Sequence, residues 1–411
     1  MRLSRILSFS WRYFKAKKST QAINVISWVS VLAIAVGTAS LITILSAFNG
    51  FESLVKSLYA SFYPEVKISP AKGKIITVSP EQIQHILGLK GIGGLSRTAE
   101  GKALIQNGSL QVVVQLKGVD SAYVDVSGVK GAMYRGEYEI GNADLPGLVM
   151  GVGIEQALGL LSDRSIEPVS VYLPKKNIQQ IADPAEALSM SLAYPQGSFA
   201  IQSEFDNKYV ITDLQFVKDY MGFDAAEFSS LELKLNDDAD VFSILQVVKT
   251  YLGDSYRVED RYQQNRTLYA TIKLEKLAIY GIFSLILLVA AFNMIGSLSM
   301  LVLEKKKDIQ VLKSMGAEDG LIRKIFLAEG ILLAGIGTFA GLLLALLIYY
   351  LQTTFKLVPL EGSTFLIDYY PVKLLGSDIL LVLVTVFSIG TMASWMPSVR
   401  ASKQDIALRS V

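Results

Sequence analysis

The stretch that decides the fold is LAIYGIFSLILLVAAFNMIGSLSMLVL, residues 277–303, which contains no charged side chain. It exceeds the roughly 20 residues that a helix needs to cross about 30 Å of hydrocarbon. Residues 19–51, 330–355 and 379–399 form three further uncharged stretches of sufficient length. The sequence therefore predicts a membrane protein with four helical spans.

The composition agrees with this prediction and excludes several classes of function. Of 411 residues, 51% are hydrophobic and only 18% are charged, and the net charge of +2 is too small to indicate a nucleic-acid partner. The absence of cysteine excludes disulfides, thiol nucleophiles and cysteine-ligated metals. The single histidine, His85, cannot form a histidine-rich metal site, and no G-x-S-x-G turn presents a serine. We therefore predict no catalytic residue and no metal ligand.

The positions of lysine and arginine near the spans predict the orientation in the membrane. Residues 1–21 carry six basic residues and no acid, residues 304–329 carry six, and residues 400–411 carry three. The segment 356–378 carries only two lysines. Both termini and 304–329 are therefore expected in the cytoplasm, with 51–276 and 356–378 on the outer side.

Charge and hydropathy together divide the chain. The first span is too long for a cleaved signal peptide and reads as a signal anchor. The predicted segments are an amphipathic cytoplasmic helix 1–21, a first span 22–50, an outer region 51–276, a second span 277–303, a cytoplasmic element 304–329, a third span 330–355, a short outer loop 356–378, a fourth span 379–399 and a cytoplasmic tail 400–411.

The outer region alternates between strand and helix patterns. Residues 64–118 read as a β-α-β-β unit in which Asn107-Gly108 is a strong two-residue hairpin signal. Residues 229–260 read as a β-α-β unit, and the two units can pair into one split α/β domain. The remaining pieces are an inserted lobe 119–228 and two stalks, 51–63 and 261–276.

Three motifs in the outer region have competing interpretations. Gly151-Val152-Gly153 resembles the start of a dinucleotide fingerprint, but Gln156 replaces the third glycine, which favours a tight turn before a helix. Asn236, Asp237, Asp238 and Asp240 lack the glycine and glutamate of a calcium loop, which favours a helix N-cap. Residues 174–200, with three prolines, are either a partner-binding loop or a plain protruding hairpin.

Within the membrane, Asn293 is the most informative polar residue. An amide inside the second span is expected to hydrogen-bond another helix rather than face lipid. Ala33 with Gly37 and Gly337 with Gly341 have spacings that permit close helix contact, although such spacings also arise by chance.

The cytoplasmic element 304–329 predicts two short amphipathic helices. The first contains Ile309 and Leu312 and ends at Gly316, which suits a left-handed C-terminal position. The second begins near Ala317. A plain helical connector between two spans would have the same length.

Seven motifs spread over the whole chain resemble one family. They are WRY at 11–13, VISWVSV at 25–31, SAFNGFE at 46–52, FN at 292–293, DIQVLKSMGA at 308–317, GLIRKIF at 320–326 and ASWMPSVRAS at 393–402. In order and spacing the chain is similar to the lipoprotein-releasing permeases of the LolC/LolE type. These belong to the FtsX/MacB-like permease superfamily.

The resemblance implies a fold class and a function. The fold would be membrane α-helical, a type VII ABC permease with four transmembrane helices and a large α+β periplasmic region. The function would be release of lipoproteins from the outer leaflet of the inner membrane to a periplasmic carrier. The implied partners are an ABC ATPase, a second permease subunit (the same chain or a paralogue), the lipoprotein, the carrier and membrane lipids. The chain itself would be no enzyme and hold no cofactor, because ATP and Mg would bind the ATPase.

The resemblance also implies sites. ATPase coupling would involve Glu304, Asp308, Ile309, Leu312, Lys313, Met315, Gly316, Ala317, Ile322, Ile325 and Phe326. A lateral gate for lipoprotein would include Phe48, Phe51, Leu277, Tyr280 and Phe283, which also fit ordinary packing or lipid contact. Carrier contact would involve Pro174, Lys175, Lys176, Pro195 and Gly197.

The chain departs from the family in two places. Residues 174–200 do not match the family's proline-rich, basic carrier-binding tip, and Asp405 is followed by Ile406 rather than proline. Two other functions share the four-span layout. One is an FtsX-like transducer that regulates a cell-wall hydrolase, and the other is a MacB-like efflux permease.

Overall fold

The computed structural model describes residues 21–165, 167–174, 188–360 and 369–404. The helices are α1 Gln21–Phe62, α2 Pro80–Leu87, α3 Tyr123–Val126, α4 Val152–Ala157, α5 Ser203–Asp206, α6 Leu214–Met221, α7 Val241–Leu252, α8 Arg261–Gln264, α9 Arg266–Glu304, α10 Lys306–Ser314, α11 Asp319–Phe355 and α12 Gly376–Ser402. The strands are β1 Val66–Pro70, β2 Ile76–Thr77, β3 Ile92–Asn107, β4 Leu110–Val119, β5 Met133–Gly136, β6 Gly147–Gly151, β7 Val169–Pro174, β8 Leu188–Phe199, β9 Tyr209–Asp213, β10 Glu227–Phe228, β11 Ser230–Leu235 and β12 Tyr256–Asp260. The predicted N-terminal helix 1–21 lies almost wholly outside the described residues.

The chain divides into two compact units. The membrane unit comprises the described residues within Met1–Leu54, Ala270–Leu360 and Tyr369–Val411, and the β unit comprises those within Val55–Tyr269. The helices α1, α9, α11 and α12 are long and apolar enough to cross a membrane. Each contains one of the uncharged stretches on which the prediction of four spans rested.

Small residues set the helix contacts inside the membrane unit. A Cβ added to Gly337 would lie 2.9 Å from Ile34 Cβ, and one added to Gly341 would lie 2.5 Å from Ala35 O, so α11 packs closely on α1. A Cβ on Gly37 would lie 2.8 Å from Leu287 in α9. The small-residue spacings in the first and third spans therefore mark real contacts.

The β unit is built on one large sheet with the strand order β12-β1-β11-β3-β4-β9-β6-β8-β5, while β7 pairs with β3 and β8. The two outer-region units do pair, because β1 is antiparallel to both β11 and β12. The predicted hairpin joins β3 to β4, with Asn107 opposite Leu110 and Gly108 at φ +56°. Gly151 ends β6 and begins α4, and Asp240 caps α7, as expected for a turn and an N-cap.

Residues 119–228 do not form a sheet of their own, which corrects the expectation of a separate lobe. Strand β9 pairs in parallel with β4, and β6 and β8 extend the same sheet beyond it. Their buried side chains, such as Leu148 and Val210, share one apolar core with Val66 and Leu233 of the split domain. The insert therefore continues the sheet because β4 has a free edge for β9.

The predicted stalks differ from each other. The last turns of α1 belong to the β unit, where Phe62 packs against Phe205 with ring centroids 4.6 Å apart. The predicted stalk 261–276 is divided at Asn265, where α8 ends at Gln264 and α9 begins at Arg266, and from Arg266 onwards it forms one helix with the second span.

Candidate functional site

The segment predicted to be the cytoplasmic element consists of one short helix, α10, between two long apolar helices. Gly316, at φ +91°, ends α10, where its N–H bonds Lys313 O at 3.0 Å and the Ala317 N–H bonds Leu312 O at 3.0 Å. This pair of bonds is a Schellman motif. The predicted second short helix is instead the beginning of α11, because no breaker separates Asp319 from the third span.

The structure divides the predicted coupling residues by exposure. Four are buried in the helix packing and cannot meet a partner directly: Ile309, Ile322, Ile325 and Phe326. Four others are partly buried: Glu304, Leu312, Lys313 and Ala317. Asp308, Met315 and Gly316 are exposed.

Sequence reasoning missed one residue of the exposed surface. Val311 is 57% exposed and lies one helical turn before Met315, which is 79% exposed. Their spacing of four residues could have indicated in the sequence that they lie on the same face of the helix. Together with Asp308 they form the surface called here the α10 face.

Lys313 joins three segments of the membrane unit. Its Nζ donates to Ser402 O at 2.7 Å and Gln404 O at 2.9 Å, and it pairs with Asp319 Oδ1 at 2.9 Å. A lysine bound to the last carbonyls of a helix satisfies groups that have no partner within the helix and also favours the helix dipole. Lys313 therefore fixes α10 to the end of α12 and the start of α11.

The predicted gate residues do not form one cluster. Phe51 stacks on Tyr370 with ring centroids 6.1 Å apart, whereas the Tyr280 hydroxyl lies 2.6 Å from Thr385 Oγ1 on α12. Phe283 packs against the apolar core of the membrane unit. Phe48 is partly buried and Leu277 is 65% exposed.

Asn293 does not make the predicted contact with another helix of the chain, because its side chain lies on the exposed face of α9. The buried polar contact between the first two spans is formed instead by Ser27 and Ser297, whose Oγ atoms lie 3.1 Å apart. Two serines among apolar residues were a weaker signal than an amide.

A polar network, called here the outer network, joins three membrane helices. Lys276 Nζ on α9 donates to Asn49 Oδ1 on α1 at 2.7 Å and to Asp378 Oδ2 on α12 at 3.1 Å. Asn49 Nδ2 also donates to Asp378 Oδ2 at 2.7 Å. In the sequence, Lys276 and Asp378 only marked where uncharged stretches end, so their pairing was not predicted.

The segment before α12 packs on α1 beside the outer network. Lys373 N donates to Ser46 O at 2.9 Å, and Asn49 Nδ2 lies 3.3 Å from Lys373 O. A Cβ on Gly50 would lie 2.1 Å from Pro371 O, so a larger residue would force the segments apart. These contacts explain the asparagine at 49 and the glycine at 50.

Comparisons with known proteins agree with the whole-chain pattern. The model of the FtsX-like permease C-terminal family matches residues 280–406. The lipoprotein-releasing system transmembrane protein LolE of Haemophilus influenzae is 27% identical over 422 residues, which cover 96% of each chain. LolC of Neisseria meningitidis serogroup B is 27% identical over 415 residues, again 96% of each chain.

Over nearly its whole length the chain is similar to permeases of the LolC and LolE type. The family-model match begins at Tyr280 and therefore includes the α10 face, Lys313 and Asp378. A crystal structure of the periplasmic region of MacB from Actinobacillus actinomycetemcomitans covers 53% of the chain and 98% of its own, at 11% identity and a TM-score of 0.37. The fold class is the expected one, four membrane helices with a large α+β region between the first two.

In the β unit, one buried lysine pairs with acidic side chains of the same sheet. Lys117, 2% exposed, donates to Glu232 Oε1 at 2.7 Å and lies 3.6 Å from Glu100. Burial alone would lower the pKa of Lys117, but Glu232, Tyr123 and Glu100 raise that pKa well above its usual value. Among the described residues, no group of three or more histidine and acidic side chains is arranged to hold a metal ion.

The residues predicted for carrier contact fall into separate places. Lys175 and Lys176 lie outside the described residues. Pro174 ends β7 and is exposed, opposite Leu188 of β8. Pro195 and Gly197 are buried inside β8, paired with β6, so they cannot lie at the tip of a protruding loop. Residues 188–199 are strand rather than irregular loop because they bridge β6 and β7.

Proposed function

We propose that this chain is the membrane-spanning subunit of an ABC transporter that releases lipoproteins from the outer leaflet of the inner membrane to a periplasmic carrier. A separate ATPase subunit drives it, and a second permease subunit completes the membrane part. The observation that carries the proposal is the similarity to LolE and LolC proteins over 96% of each chain, which includes the β unit as well as the spans.

Lipoprotein extraction requires free energy that this chain obtains only through a partner subunit. Removing an acyl chain from the bilayer costs about 0.8 kcal/mol per CH₂, so a triacylated protein needs a strong driving force. The sequence has no G-x-x-x-x-G-K-[ST] loop to bind nucleotide phosphates. Energy from ATP must therefore reach this subunit through a protein contact.

The α10 face is the surface that supports this contact best. Val311 and Met315 are exposed apolar side chains on a helix joined rigidly to α9, α11 and α12 through the chain and Lys313. In the proposed orientation this helix is cytoplasmic, where ATP is available. A push on α10 would therefore be transmitted to three membrane helices at once.

The proposed lateral gate keeps two of the five predicted residues, Leu277 and Phe48. Leu277 is exposed near the outer end of α9, and Phe48 is partly exposed on α1, so both can contact lipid chains. Tyr280 and Phe283 contribute by holding α9 in the helix packing. The exposed Asn293 suits a contact with the second permease subunit.

Depletion of the protein followed by membrane fractionation tests the proposed function. We expect outer-membrane lipoproteins to accumulate in the inner membrane. Normal lipoprotein sorting would contradict the proposal. A loss of cell-wall hydrolase activity with normal sorting would favour the FtsX-like transducer, and a loss of drug resistance with normal sorting would favour the MacB-like efflux permease.

The coupling surface is tested by the substitution Met315→Asp. A charge in an apolar contact is expected to abolish co-purification of the ATPase, while Met315→Leu, which keeps an apolar side chain, should retain it. The thermal stability of both variants should match the wild type, because Met315 is exposed. Unchanged ATPase binding by Met315→Asp would show that the ATPase docks elsewhere. Ile309→Asp is unsuitable, since Ile309 is buried and its loss would disturb the helix packing.

A further inference from the structure

A cavity of about 410 Å³ lies inside the membrane unit, between α1, α11 and the segment that precedes α12. Its walls are predominantly apolar and include Ile42 of α1, Ile348 of α11 and Leu374 of the last segment. Water is held in protein cavities by two to four polar partners, and apolar cavities stay dry or take apolar ligands. These apolar walls therefore favour a hydrocarbon chain as the occupant of the cavity.

Two hydroxyl groups in the cavity wall have no hydrogen-bond partner. Thr43 Oγ1 and Ser46 Oγ are buried atoms without a partner among the described residues, and Ser46 is only 3% exposed. They lie one helical turn apart on α1. An unpaired hydroxyl in an apolar environment is unfavourable, and a carbonyl oxygen on a ligand would satisfy it.

One further polar side chain of the cavity is already used within the protein. Gln352 Nε2 donates to Tyr370 O at 2.9 Å and to Val358 O at 3.2 Å, and its Oε1 accepts from Val358 N at 2.9 Å. Gln352 therefore shapes the cavity by fixing the chain that closes it. Among the described lining residues, which also include Tyr349 and Tyr370, the buried side-chain oxygens without a partner are those of Thr43 and Ser46.

Two exposed lysines lie next to the cavity in sequence. Lys356 precedes the lining residue Leu357, and Lys373 stands between the lining residues Val372 and Leu374. Both lysines are exposed, and Lys356 Nζ lies 4.2 Å from the ring centroid of Tyr369. Positive charge beside an apolar cavity suits an anionic headgroup.

We propose that this cavity binds one acyl chain of an anionic glycerophospholipid. Thr43 and Ser46 would bond its ester carbonyl, and Lys356 and Lys373 would face its phosphate. The acyl chains of a lipoprotein offer carbonyl groups as well, but they bring no phosphate for the two lysines. The charge beside the cavity therefore favours a membrane phospholipid as the occupant. In the proposed orientation this lipid would belong to the outer leaflet. Its binding to the cavity does not depend on that orientation.

The test uses the full-length chain, with its co-purifying subunits, in nanodiscs that contain phosphatidylglycerol with a photoactivatable group in one acyl chain. After illumination, peptide mass spectrometry should locate the label on residues 42–47 or 345–352. Neither ATP nor carrier is present. A failure of this experiment is therefore distinguishable from a failure of lipoprotein release, which is measured by fractionation.

Two sets of variants make the test specific. Ala345→Phe fills the cavity and should reduce labelling about tenfold or more, while Leu346→Phe, at an exposed neighbouring position, should leave it unchanged. The double variant Thr43→Val with Ser46→Ala preserves side-chain size and should reduce labelling about two- to tenfold, the range expected for one or two lost hydrogen bonds. This second set keeps the test valid if Ala345→Phe does not fold.

The ligand class is tested by competition. A photoactivatable diacylglycerol keeps the ester carbonyls but lacks the phosphate, and it should label the cavity less than phosphatidylglycerol in the wild type. Lys356→Gln with Lys373→Gln should abolish this difference. The proposal is overturned if no cavity peptide is labelled, if the cavity variants label normally, if diacylglycerol labels equally well, or if a triacylated lipopeptide displaces the phospholipid.

Discussion

Lys117 in the β unit and Lys276 in the membrane unit both pair with a carboxylate, but their surroundings differ. Lys117 and Glu232 are 2% and 1% exposed and lie 2.7 Å apart within one sheet. Lys276 and Asp378 are 29% and 15% exposed and lie 3.1 Å apart on different helices. The first pair is sealed, whereas water can reach the second when the helices separate.

This difference indicates different roles. Breaking a sealed pair leaves an uncompensated charge in the protein interior, so the Lys117 pair holds the sheet in one arrangement. Separating α9 from α12 exposes both partners of the outer network to solvent at little cost. The outer network is therefore suited to close and open with the helices that it joins.

The largest expected effect is that of Lys117→Met. The substitution leaves Glu232 and Glu100 with only Lys67, which lies 3.9 Å and 3.5 Å from them, and should lower the free energy of unfolding by about 3 kcal/mol. Chemical denaturation of the purified full-length protein measures it. Lys102→Met, at an exposed position on the neighbouring strand β3, is the control and should change stability by less than about 0.5 kcal/mol. Equal effects of the two variants would contradict a structural role for the sealed pair.

Substitutions in the outer network should lower stability by an intermediate amount that depends on both partners, Lys276 and Asp378. Lys276→Met or Asp378→Asn should each lower the stability of the membrane unit by about 1 kcal/mol, and the double variant should cost less than the sum. Lys273→Met, exposed and one turn earlier on α9, serves as the control. Additive effects in thermal denaturation would show that Lys276 and Asp378 do not act as a pair.

A third effect, observed as a pH dependence of stability, concerns Asp206, a buried carboxylate that faces backbone amides rather than a cation. Burial raises the pKa of Asp206 to about 6, against the opposing hydrogen bonds from Ile201 and Gln202 N–H groups. Since this folded pKa lies above the usual value of about 4, the folded state binds the proton more tightly, and stability falls as pH rises between about 4 and 6.

Asp206→Asn removes this titration while it keeps an oxygen that can accept from Ile201 N, which donates to Asp206 Oδ1 at 2.9 Å. The variant should therefore gain stability relative to the wild type as pH rises from 4 to 7. Denaturation curves at these two pH values measure the difference. Parallel pH profiles of the two proteins would contradict the raised pKa.

The sequence predicts well those features that depend on neighbouring residues. Uncharged stretches located the four spans, Asn107-Gly108 located the hairpin, and Gly316 located the end of α10. In each case the deciding physics is local, since it involves hydrocarbon thickness, turn geometry or a positive φ angle.

Apart from the pairing of β1 with β11 and β12, features that depend on distant pairing were missed. Lys117 stands in a strand whose polar residues could equally face solvent, and only the approach of Glu232 from β11 shows that it is buried. The place of β9 beside β4 likewise depends on which sheet edge is free. Asn293 was expected to hydrogen-bond another helix, but it lies on an exposed face of α9, which no property of one helix reveals.

The attachment of Lys313 to the last helix has a consequence for how the chain can change during evolution. The lysine recognises main-chain carbonyls of Ser402 and Gln404, which every amino acid supplies. Neutral drift at these two positions therefore leaves the attachment intact, while replacement of Lys313 removes it in one step. A truncation that stops before residue 402 should detach α10, whereas a fusion tag placed after residue 404 should be tolerated.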